Sequence, residues 1–477
     1  MVLGIDQGTT STKVCLMGRD GAVVAFSQKR HETFHPQPGW VEQDPKEIWA
    51  NTFVLIREVL SKLPTGDKLD AVGIANQGET VLLWDRDTGE PLWRALVWQD
   101  LRTRSWMEEL RKEPTLQALV RSRTGLSLDP YFSAPKIRWL LDHAPKSDRL
   151  CVGTMDSWLI WNLTKGSEFV TDSSTASRTL LFDIHKKQYD EKLLRLFGIP
   201  RGVLPQVKRS TSEFGTVAGF GPRLDGARIR ANLVDQPAAL WGHGCVNPGE
   251  TKATYGTGCF VYMNMGERVA LSEHGLLTSI AWETSEKTTY ALDGGVFAAG
   301  SVIQWLMDTL GFAASEEDLE ELAADLDSGE VICVPALVGL ASPHWKRNAR
   351  AAWLGMDAGT TKANLVRAAF EGIALRVGEV VKAMELESGI EMKSLRVDGG
   401  LSASKTLMQI QADCLGIPVE VSSEQEATLR GACFAAMGIK LPKNKAAVVH
   451  EPRISKTERE QKIERFKKAV RLVVEFE

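Results

Sequence analysis

The feature of the sequence that most constrains the fold is a short pattern that occurs twice. Residues 4–13 read Gly-Ile-Asp-Gln-Gly-Thr-Thr-Ser-Thr-Lys, and residues 250–260 read Glu-Thr-Lys-Ala-Thr-Tyr-Gly-Thr-Gly-Cys-Phe. Each stretch predicts two strands joined by a tight turn of glycine and threonine. The backbone N–H groups of such a turn form a concave nest that suits phosphate oxygens, although an ordinary threonine-rich hairpin would have the same sequence. The repeat predicts a duplicated fold that closes on one ligand.

The first hairpin is not a Walker A loop, because the chain has no GxxxxGK[ST] here and a strand is predicted after the turn. Asp6, at the end of the first predicted strand, offers a carboxylate that suits a hydrated Mg²⁺ ion. The hairpin therefore predicts a phosphate site with a metal beside it.

The length of the chain, 477 residues, exceeds what one hydrophobic core usually holds. Residues 242–249 are low in bulky side chains and contain Pro248, so we expect a domain boundary there, between residues 1–242 and 243–477. Three short antiparallel strands at the start favour an α/β fold with mixed sheets over a purely parallel one.

Charge and hydropathy argue against two classes of partner. A net charge of −4 over the whole chain is not typical of a protein that binds nucleic acid or an anionic membrane surface. The sequence has no apolar run of about 18 residues and no leader pattern, so we expect a cytoplasmic protein. The seven cysteines are dispersed without a CxxC pair, which predicts reduced, buried thiols.

Polar groups at the ends of predicted strands mark a ligand site. Gln77, Glu79, Trp98 and Asp100 hold such positions, where α/β folds bind ligands. Asp235 follows a predicted strand and begins a helix, whose N-terminus would keep the carboxylate ionised, as a proton acceptor must be.

Two glycine-rich turns later in the chain point to the same ligand. The glycines before the helix that contains Ile303 would let a helix start approach a ligand closely. The turn Asp398-Gly399-Gly400 would let the backbone lie flat against an adenosine. Both turns are weak signals when taken alone.

Together these motifs resemble those of the FGGY carbohydrate kinases, and most of all the branch that phosphorylates glycerol. The resemblance is most specific in residues 6–11, 153–163, 171–182, 254–260 and 395–400, and residues 131–139 and 355–374 match the two signature regions of the family. It implies two actin-like (ribonuclease H-like) ATPase domains, each a mixed sheet flanked by helices, with a cleft between them. ATP would bind mainly to the C-terminal domain and the polyol mainly to the N-terminal one.

The resemblance also assigns roles to single residues. Asp235 matches the general base, and Asp6 matches the residue that holds Mg²⁺ through water. The residues that match the polyol pocket are Gly78, Glu79, Trp98, Tyr131, Asp235, Gln236 and Phe260. The residues that match nucleotide contacts are Thr9, Thr10, Ser11, Lys13, Thr257, Gly300, Gln304, Gly400 and Ser404.

The sequence departs from that branch at the polyol pocket. Gly78 stands where the branch has an arginine, within an Asn-Gln-Arg-Glu-Thr stretch. Loss of that arginine would remove hydrogen bonds to a substrate hydroxyl and would open space. Glycerol would then bind weakly, or a longer or bulkier substrate would fill the gap. Lys13 replaces an arginine and Ser404 an asparagine near the nucleotide, while residues 344–346 read His-Trp-Lys in place of Tyr-Trp-Asp.

The function predicted from the sequence is phosphorylation of a primary hydroxyl of a small polyol by ATP and Mg²⁺, with glycerol as the first candidate. Other candidates are a tetritol such as erythritol or threitol, or a ketopentose, because of Gly78. A non-catalytic actin-like sugar sensor is the candidate from another class. The resemblance suggests a homodimer or homotetramer, and we expect neither a nucleic-acid nor a membrane partner.

Overall fold

The residues that the computed structural model describes are 1–64, 66–145, 149–324, 327–423, 426–439 and 446–476. The strands of the N-terminal half are β1 (Val2–Gln7), β2 (Ser11–Met17), β3 (Val23–Arg30), β4 (Glu42–Gln43), β5 (Ala71–Asn76), β6 (Val81–Asp85), β7 (Ala95–Leu96), β8 (Leu150–Thr154), β9 (Val170–Asp172), β10 (Phe182–Asp183), β11 (Gln188–Tyr189), β12 (Gln206–Lys208) and β13 (Arg228–Val234). Its helices are α1 (Pro45–Ser61), α2 (Arg104–Arg111), α3 (Pro114–Thr124), α4 (Ser133–His143), α5 (Met155–Leu163), α6 (Ser173–Ala176), α7 (Glu191–Phe197) and α8 (Asp235–Gly242).

The C-terminal half repeats the mixture of strands and helices. Its strands are β14 (Thr251–Tyr255), β15 (Cys259–Gly266), β16 (Leu277–Glu283), β17 (Thr288–Val296), β18 (Ile332–Val334), β19 (Ala352–Leu354), β20 (Leu395–Asp398), β21 (Val419–Ser422) and β22 (Ala446–His450). Its helices are α9 (Gly300–Asp308), α10 (Glu316–Ala324), α11 (Lys362–Ser388), α12 (Lys405–Leu415), α13 (Ala427–Met437) and α14 (Lys456–Glu475). Short 3₁₀ turns occur at Arg201–Val203 and Gly400–Ala403.

The N-terminal sheet has the strand order β13-β5-β1-β2-β3. β1 and β2 form an antiparallel hairpin in which Asp6 pairs with Lys13, while β5 lies parallel to both β1 and β13. Alternate residues of β1 enter different cores: Leu3 and Ile5 pack in the cluster that contains residues of α1, and Val2 packs in the cluster that contains residues of α13. The prediction of a mixed sheet that opens with antiparallel strands is confirmed.

The C-terminal sheet has the order β16-β17-β15-β14-β20-β21-β22. Its β14–β15 hairpin is antiparallel, with Thr254 opposite Phe260, and β20 runs parallel to β14. The second Gly/Thr pattern therefore occupies the same structural position as the first, beside a parallel strand. The predicted α/β fold with helix-flanked mixed sheets and a duplicated hairpin is confirmed.

Helix α1 begins with a side-chain cap at Asp44, and the spacing of Asp44 and Glu47 would also allow a capping box. The Asp44 carboxylate accepts from the Lys46 N–H at 2.8 Å, and Pro45 is the first helical residue. Glu47 does not close the box, because its carboxylate accepts instead from the Glu32 N–H at 3.2 Å. The Glu47 carboxylate thus pairs with a backbone donor from the segment that follows β3.

Helix α13 comes from the C-terminal half but packs on the N-terminal sheet. Its Leu429, Ala432 and Cys433 share one buried cluster with Val2 of β1 and Leu233 of β13. Glycines at this contact bring backbones together, because a Cβ on Gly431 would collide with the Ala238 carbonyl of α8. The sheet is thus covered by α1 on one face and by α8 and α13 on the other.

The last helix packs back on the body of the protein, as its apolar spacing predicts. Phe466, Val470 and Val473 of α14 are buried, and Ile463 packs against the same core. No helix in the described ranges is long and apolar enough to cross a membrane.

Candidate active site

The candidate site begins at one edge of the N-terminal sheet. Because β1, β5 and β13 run parallel, their carboxyl ends lie side by side, and the chain places Asp6, Gln77 and Asp235 at or just beyond those ends. Asp6 and Asp235 interact electrostatically. The edge therefore brings together the two carboxylates that the sequence singled out, one predicted for the metal and one for the base.

The turn of the first hairpin is held from behind by side chains. The Gly8 N–H donates to the Ser11 carbonyl at 3.0 Å, and the Thr9 carbonyl accepts from Gln43 Nε2 at 2.6 Å. Nε2 of His31 lies 2.8 Å from the same carbonyl. The carbonyl is thereby directed into the protein, while Thr10 at the tip is exposed.

The turn of the second hairpin rests on the start of helix α9. The N–H groups of Ala299 and Ser301 donate to the Thr257 carbonyl at 2.9 and 3.0 Å, while the Thr257 side chain is exposed. The Gly300 N–H donates to the Gly256 carbonyl at 3.0 Å, and a Cβ on Gly300 would lie 2.6 Å from that oxygen. The prediction that glycine serves close approach to a ligand here is therefore incomplete, because close packing on the hairpin already requires it.

The double glycine after β20 borders the same hairpin. Gly399 has a φ of +89°, and a Cβ there would run into the Tyr255 carbonyl. Gly400 is exposed and faces open space. The adjacent Asp398 lies 2.8 Å from Nε2 of His243, and this contact lowers the pKa of the Asp398 carboxyl despite its burial.

Three residues predicted to contact the nucleotide already have partners in the protein. Lys13 Nζ lies 2.7 Å from Glu426 Oε2, and Gln304 on α9 donates to Asp308 at 2.8 Å. The Ser404 hydroxyl accepts from the Leu407 N–H at 3.1 Å as the N-cap of α12. Their roles at the nucleotide stay predictions.

Burial acts against the ionisation that the position of Asp235 at a helix start favours. Burial raises the pKa of its carboxyl, and this outweighs the opposing effects of Lys252 and of the Gln236 N–H, which donates to Asp235 Oδ1 at 2.6 Å. Burial likewise raises the pKa of Asp6 to about 7, with Lys13 opposing and Asp235 adding to the rise. The expectation that the helix N-terminus keeps this carboxylate ionised therefore stays a prediction, with burial acting against it.

Lys252 is a cation beside Asp235 that the sequence did not single out. It is fully buried on β14, donates to Gln236 Oε1 and donates to Thr254 Oγ1 at 2.8 Å. Burial lowers the pKa of the ammonium group, while Asp398 and Asp235 oppose the shift. Lys252 thus links the second hairpin to the start of α8, next to Asp235.

Aromatic side chains form the walls of the predicted polyol pocket. The Trp98 ring meets Tyr131 edge-to-face at 5.5 Å between centroids, and meets Phe260 of the second hairpin at 6.1 Å. Trp98 Nε1 also donates to Thr9 Oγ1 at 2.9 Å. The same indole therefore touches the first phosphate hairpin and lines the pocket, and the structure brings these predicted residues together.

Glu79 occupies a strained position in the pocket. Its φ of +58° is uncommon for a residue with a side chain, and such strain concentrates at functional sites. Its carboxylate is nearly inaccessible and accepts from Arg178 Nε at 2.5 Å. Burial raises the pKa of Glu79 to about 7, and Arg178 holds it below what burial alone would give.

Gly78 opens no space next to its own Cα atom, whereas the expectation from the sequence concerns the space of a whole arginine side chain and stays a prediction. A Cβ at this position would lie 2.7 Å from Cγ2 of Val234, the residue before the base. The predicted loss of a guanidinium stands, but an apolar methyl group fills the space beside the Cα atom.

Two polar residues that the sequence placed among the ligand candidates are structural. The Gln77 amide donates to Gln7 and Gln43 and is buried. Asp100 is also buried, accepts from the Val41 N–H at 2.6 Å and forms an ion pair with Arg102 at 2.8 Å. Burial satisfied by internal partners leaves neither side chain available to a ligand.

Lys136 supports the pocket from behind. Its fully buried ammonium group donates to the carbonyls of Pro130, Tyr131 and Phe132 at 2.6–3.0 Å. Burial lowers the pKa of this group to about 7. The contacts fix the turn that carries Tyr131, a role that sequence reasoning missed, although the residue lies in a stretch that it singled out.

Metal-binding groups are sparse. No cluster of three or more His, Cys, Asp or Glu side chains with ligand geometry occurs in the part of the chain that the structure describes. This fits an ion held by one carboxylate through water and completed by phosphate oxygens, as is usual for Mg²⁺ with nucleotides, better than a closed protein site. Burial raises the pKa values of the Asp6 and Asp235 carboxyl groups, and a divalent cation beside them would stabilise their ionised forms. All seven cysteines are buried, as predicted.

Comparison with known proteins adds an independent line of evidence. Residues 1–234 match the model of the N-terminal domain of the FGGY family of carbohydrate kinases, and residues 251–438 match that of its C-terminal domain. The chain is 45% identical to a glycerol kinase of Halorhodospira halophila, over 100% of this chain and 97% of the relative. It is 46% identical to a glycerol kinase of Alkalilimnicola ehrlichii, over 98% and 97%.

Solved structures agree with this. A Plasmodium falciparum glycerol kinase with ADP superposes with a TM-score of 0.93 at 35% identity, covering 99% of this chain and 98% of that one. A xylulose kinase from Lactobacillus acidophilus superposes with a TM-score of 0.87 at 21% identity, over 100% and 97%, which bears on the fold alone.

Proposed function

Because the chain belongs to the FGGY family of carbohydrate kinases, we propose that it transfers the γ-phosphoryl group of ATP to a primary hydroxyl of glycerol. The observation that carries this proposal is the position of Asp235. Its charge acts on Asp6, beside the first hairpin, and on Glu79, in the aromatic pocket. A base at this position reaches both the phosphate side and the polyol side of one site.

Asp235 is the proposed general base. Phosphoryl transfer needs a group that accepts the proton of the attacking hydroxyl, and the rest of catalysis is positioning and charge neutralisation. Burial raises the pKa of Asp235, and a carboxylate with a raised pKa is a stronger proton acceptor than an exposed aspartate. Lys252 and the Gln236 N–H keep the charged form accessible.

The two hairpins are the proposed phosphate cradle. In the first turn Thr9, Thr10 and Ser11 offer hydroxyl and N–H groups, and Thr257 offers the same from the second turn. Gly400, which faces open space, would border the nucleotide with Gly300, Gln304, Lys13 and Ser404. Asp6 would hold Mg²⁺ through water, and the ion, when bound, neutralises charge on the phosphates.

The polyol pocket is the proposed site of substrate recognition. Glu79 would accept hydrogen bonds from hydroxyl groups, while Trp98, Tyr131 and Phe260 pack against the carbon chain. Gln236 stands next to the base, but its amide oxygen is engaged by Lys252, which leaves its amide N–H₂ to donate. Gly78 contributes no side-chain donor, so recognition of the polyol rests on the side chains of the other pocket residues.

The proposal is tested by measuring ADP release from Mg-ATP across a panel of three- to six-carbon polyols and ketoses. We expect the highest kcat/KM with glycerol. A higher value with erythritol, threitol or a ketopentose would replace glycerol as the substrate and retain the kinase. Absence of stimulation by every compound, in a protein that still binds ATP, would favour the sugar-sensor alternative and overturn the proposed activity.

Three expectations, the first from the resemblance and the other two from composition and hydropathy, stay proposals. They are a homodimeric or homotetrameric state, a cytoplasmic location, and a domain boundary near residue 242. The packing of α13 on the N-terminal sheet means that such a boundary would describe the order of the chain and not two separable bodies.

A further inference from the structure

Arg178 is a buried cation that none of the roles above uses. It follows helix α6, and its side chain is 2% exposed. Its Nε donates to Glu79 Oε1 at 2.5 Å, and its Nη1 lies 2.7 Å from Ser279 Oγ and 2.9 Å from Asp293 Oδ2. The guanidinium group therefore connects the polyol pocket with strands β16 and β17 of the C-terminal sheet.

Burial of a guanidinium group is costly unless carboxylates and hydrogen bonds compensate for the lost water. Two carboxylates do so here, one from each half of the chain. Within the described ranges, Arg178 is the cation that forms an ion pair with Glu79, and its Nη2 has no hydrogen-bond partner. The rings of Tyr131 and Phe132 lie 5.8 and 5.4 Å from its central carbon, so the group is held on several sides.

We propose that Arg178 is the positioning residue of the polyol site, which orients the Glu79 carboxylate toward the substrate from an anchor on Ser279 and Asp293. This inference rests on the proposed function, because Glu79 is taken to accept from the polyol. With glycine at position 78, the guanidinium group that pairs with Glu79 comes from Arg178. The other half of the chain holds this group in place through Asp293.

The charges around Glu79 determine the direction of the effect. Arg178 and Lys136 favour the ionised carboxylate, Asp235 disfavours it, and the hydroxyls of Tyr131 and Tyr262 also interact with it. Burial raises the pKa of Glu79 to about 7, with Arg178 as the largest opposing influence. Removal of Arg178 should therefore raise this pKa further and lower the ionised fraction of Glu79 at neutral pH.

Protonation of Glu79 would weaken polyol binding, because a protonated carboxyl loses acceptor capacity. In Arg178→Gln we expect the KM for glycerol to rise about tenfold to a hundredfold at pH 7, the range for losing one charge-assisted hydrogen bond. The KM for ATP should stay within about twofold, because a positioning effect on Glu79 does not reach the nucleotide. The rise in glycerol KM below the pKa of Glu79 should begin at a higher pH than in the wild type.

Arg178→Lys keeps the charge and loses the planar fork. It should recover part of the glycerol KM and return the pH dependence toward the wild type. In the Glu79→Gln background, the replacement of Arg178 should no longer shift the pH dependence. Asp293→Asn removes one anchor and leaves the guanidinium, and should raise the glycerol KM less than Arg178→Gln does.

A matched control is Arg123→Gln, because Arg123 also pairs with a buried carboxylate, Asp183, at 3.2 Å, and its ion pairs in the described part of the chain go to Asp183 and Asp190, outside the pocket. It should leave the glycerol KM and its pH dependence unchanged. The inference is overturned if Arg178→Gln, folded as judged by its melting temperature, has the glycerol KM of the wild type. It is also overturned if KM rises with the same pH dependence as before, since that would mark a merely structural role.

A readout that does not depend on turnover separates this inference from the proposed function. The carboxyl carbon signal of Glu79 in ¹³C NMR, assigned by its loss in Glu79→Gln, should titrate near pH 7 in the wild type and at higher pH in Arg178→Gln, with Arg178→Lys between the two. An unshifted titration refutes the inference even in an inactive protein. A wild type without polyol-stimulated ADP release, but with the expected shift, refutes the proposed function alone.

Discussion

Gly78 and Val234 are complementary, and changing one should be harmful unless the other changes too. A Cβ at Gly78 would lie 2.7 Å from Val234 Cγ2, about 1 Å closer than ordinary carbon contacts, and Val234 is 3% exposed. Overpacking of this kind costs about 1–3 kcal/mol. We therefore expect Gly78→Ala to lower the free energy of unfolding by that amount. Val234→Ala should lower it too, by about 1–2 kcal/mol, because it removes buried methyl groups.

The double variant tests the contact itself. Val234→Ala removes the colliding methyl group, so the loss in Gly78→Ala/Val234→Ala should fall short of the sum of the single losses by about 1 kcal/mol or more. Unfolding in urea measures each free energy. Gly202→Ala is the control, because a Cβ there meets nothing within 4 Å and the backbone is not left-handed; it should be close to neutral. Additive losses would refute the contact.

The same pair governs the use of glycerol. Gly78→Arg alone should raise the glycerol KM, because the new side chain displaces Val234 next to the base. In Gly78→Arg/Val234→Ala the guanidinium can reach the substrate, and one charge-assisted hydrogen bond of about 1.5–3 kcal/mol would lower KM about tenfold or more relative to Val234→Ala. ADP release at saturating Mg-ATP and varied glycerol measures this. A lower KM in Gly78→Arg alone would show that Val234 is not in the way.

Three further predictions concern single residues. Asp235→Asn should lower kcat about 10²–10⁴-fold with ATP affinity unchanged, measured by turnover and by calorimetric titration; a loss below tenfold would exclude it as the base. Asp6→Asn should raise the free energy of unfolding at pH 8 without nucleotide. The pKa of Asp6 in the folded state, about 7, lies above its ordinary value of 3.8, so the folded state binds this proton more tightly than the unfolded state. The stability of the wild type therefore falls as pH rises through that window. The gain in stability from Asp6→Asn should disappear toward pH 4, and a gain independent of pH would contradict the assignment. Lys136→Met should lower the free energy of unfolding by about 2–5 kcal/mol, because carbonyls of three residues lose a buried donor, whereas exposed Lys112→Met should change it by less than about 0.5 kcal/mol; equal effects in urea would refute the structural role.

The parts of the fold that the sequence predicts well are those coded by neighbouring residues. The two hairpins, the helix after Asp235 and the apolar face of α14 follow from alternation, glycine turns and helical spacing within about 20 residues. The same local patterns place Asp6 and Asp235 at strand ends. That β1, β5 and β13 run parallel and so bring these strand ends to a common edge is seen only in the structure.

The parts that could not be predicted depend on contacts between distant residues. Arg178 lies 99 residues from Glu79 and 101 from Ser279, and Lys252 contacts Gln236 across two elements. No local pattern predicts that such cations are buried. Arg178 lies within residues 171–182, a stretch that was noted only because it resembles the family. Gly78 shows the converse, because a missing side chain implies space only if its distant neighbour, Val234, is known.

The position of α13 has a consequence for how this protein is made. A ribosome adds residues in order, so the strands of the N-terminal sheet emerge long before residues 427–437, which cover one of its faces. Until then Val2 and Leu233 lack the apolar partners that α13 supplies. A nascent chain that ends near residue 242 therefore exposes part of a face that is buried in the complete protein. Native closure of the first sheet must therefore wait until nearly the whole polypeptide has been synthesised, and a fragment of residues 1–242 expressed alone should aggregate unless residues 427–437 are supplied.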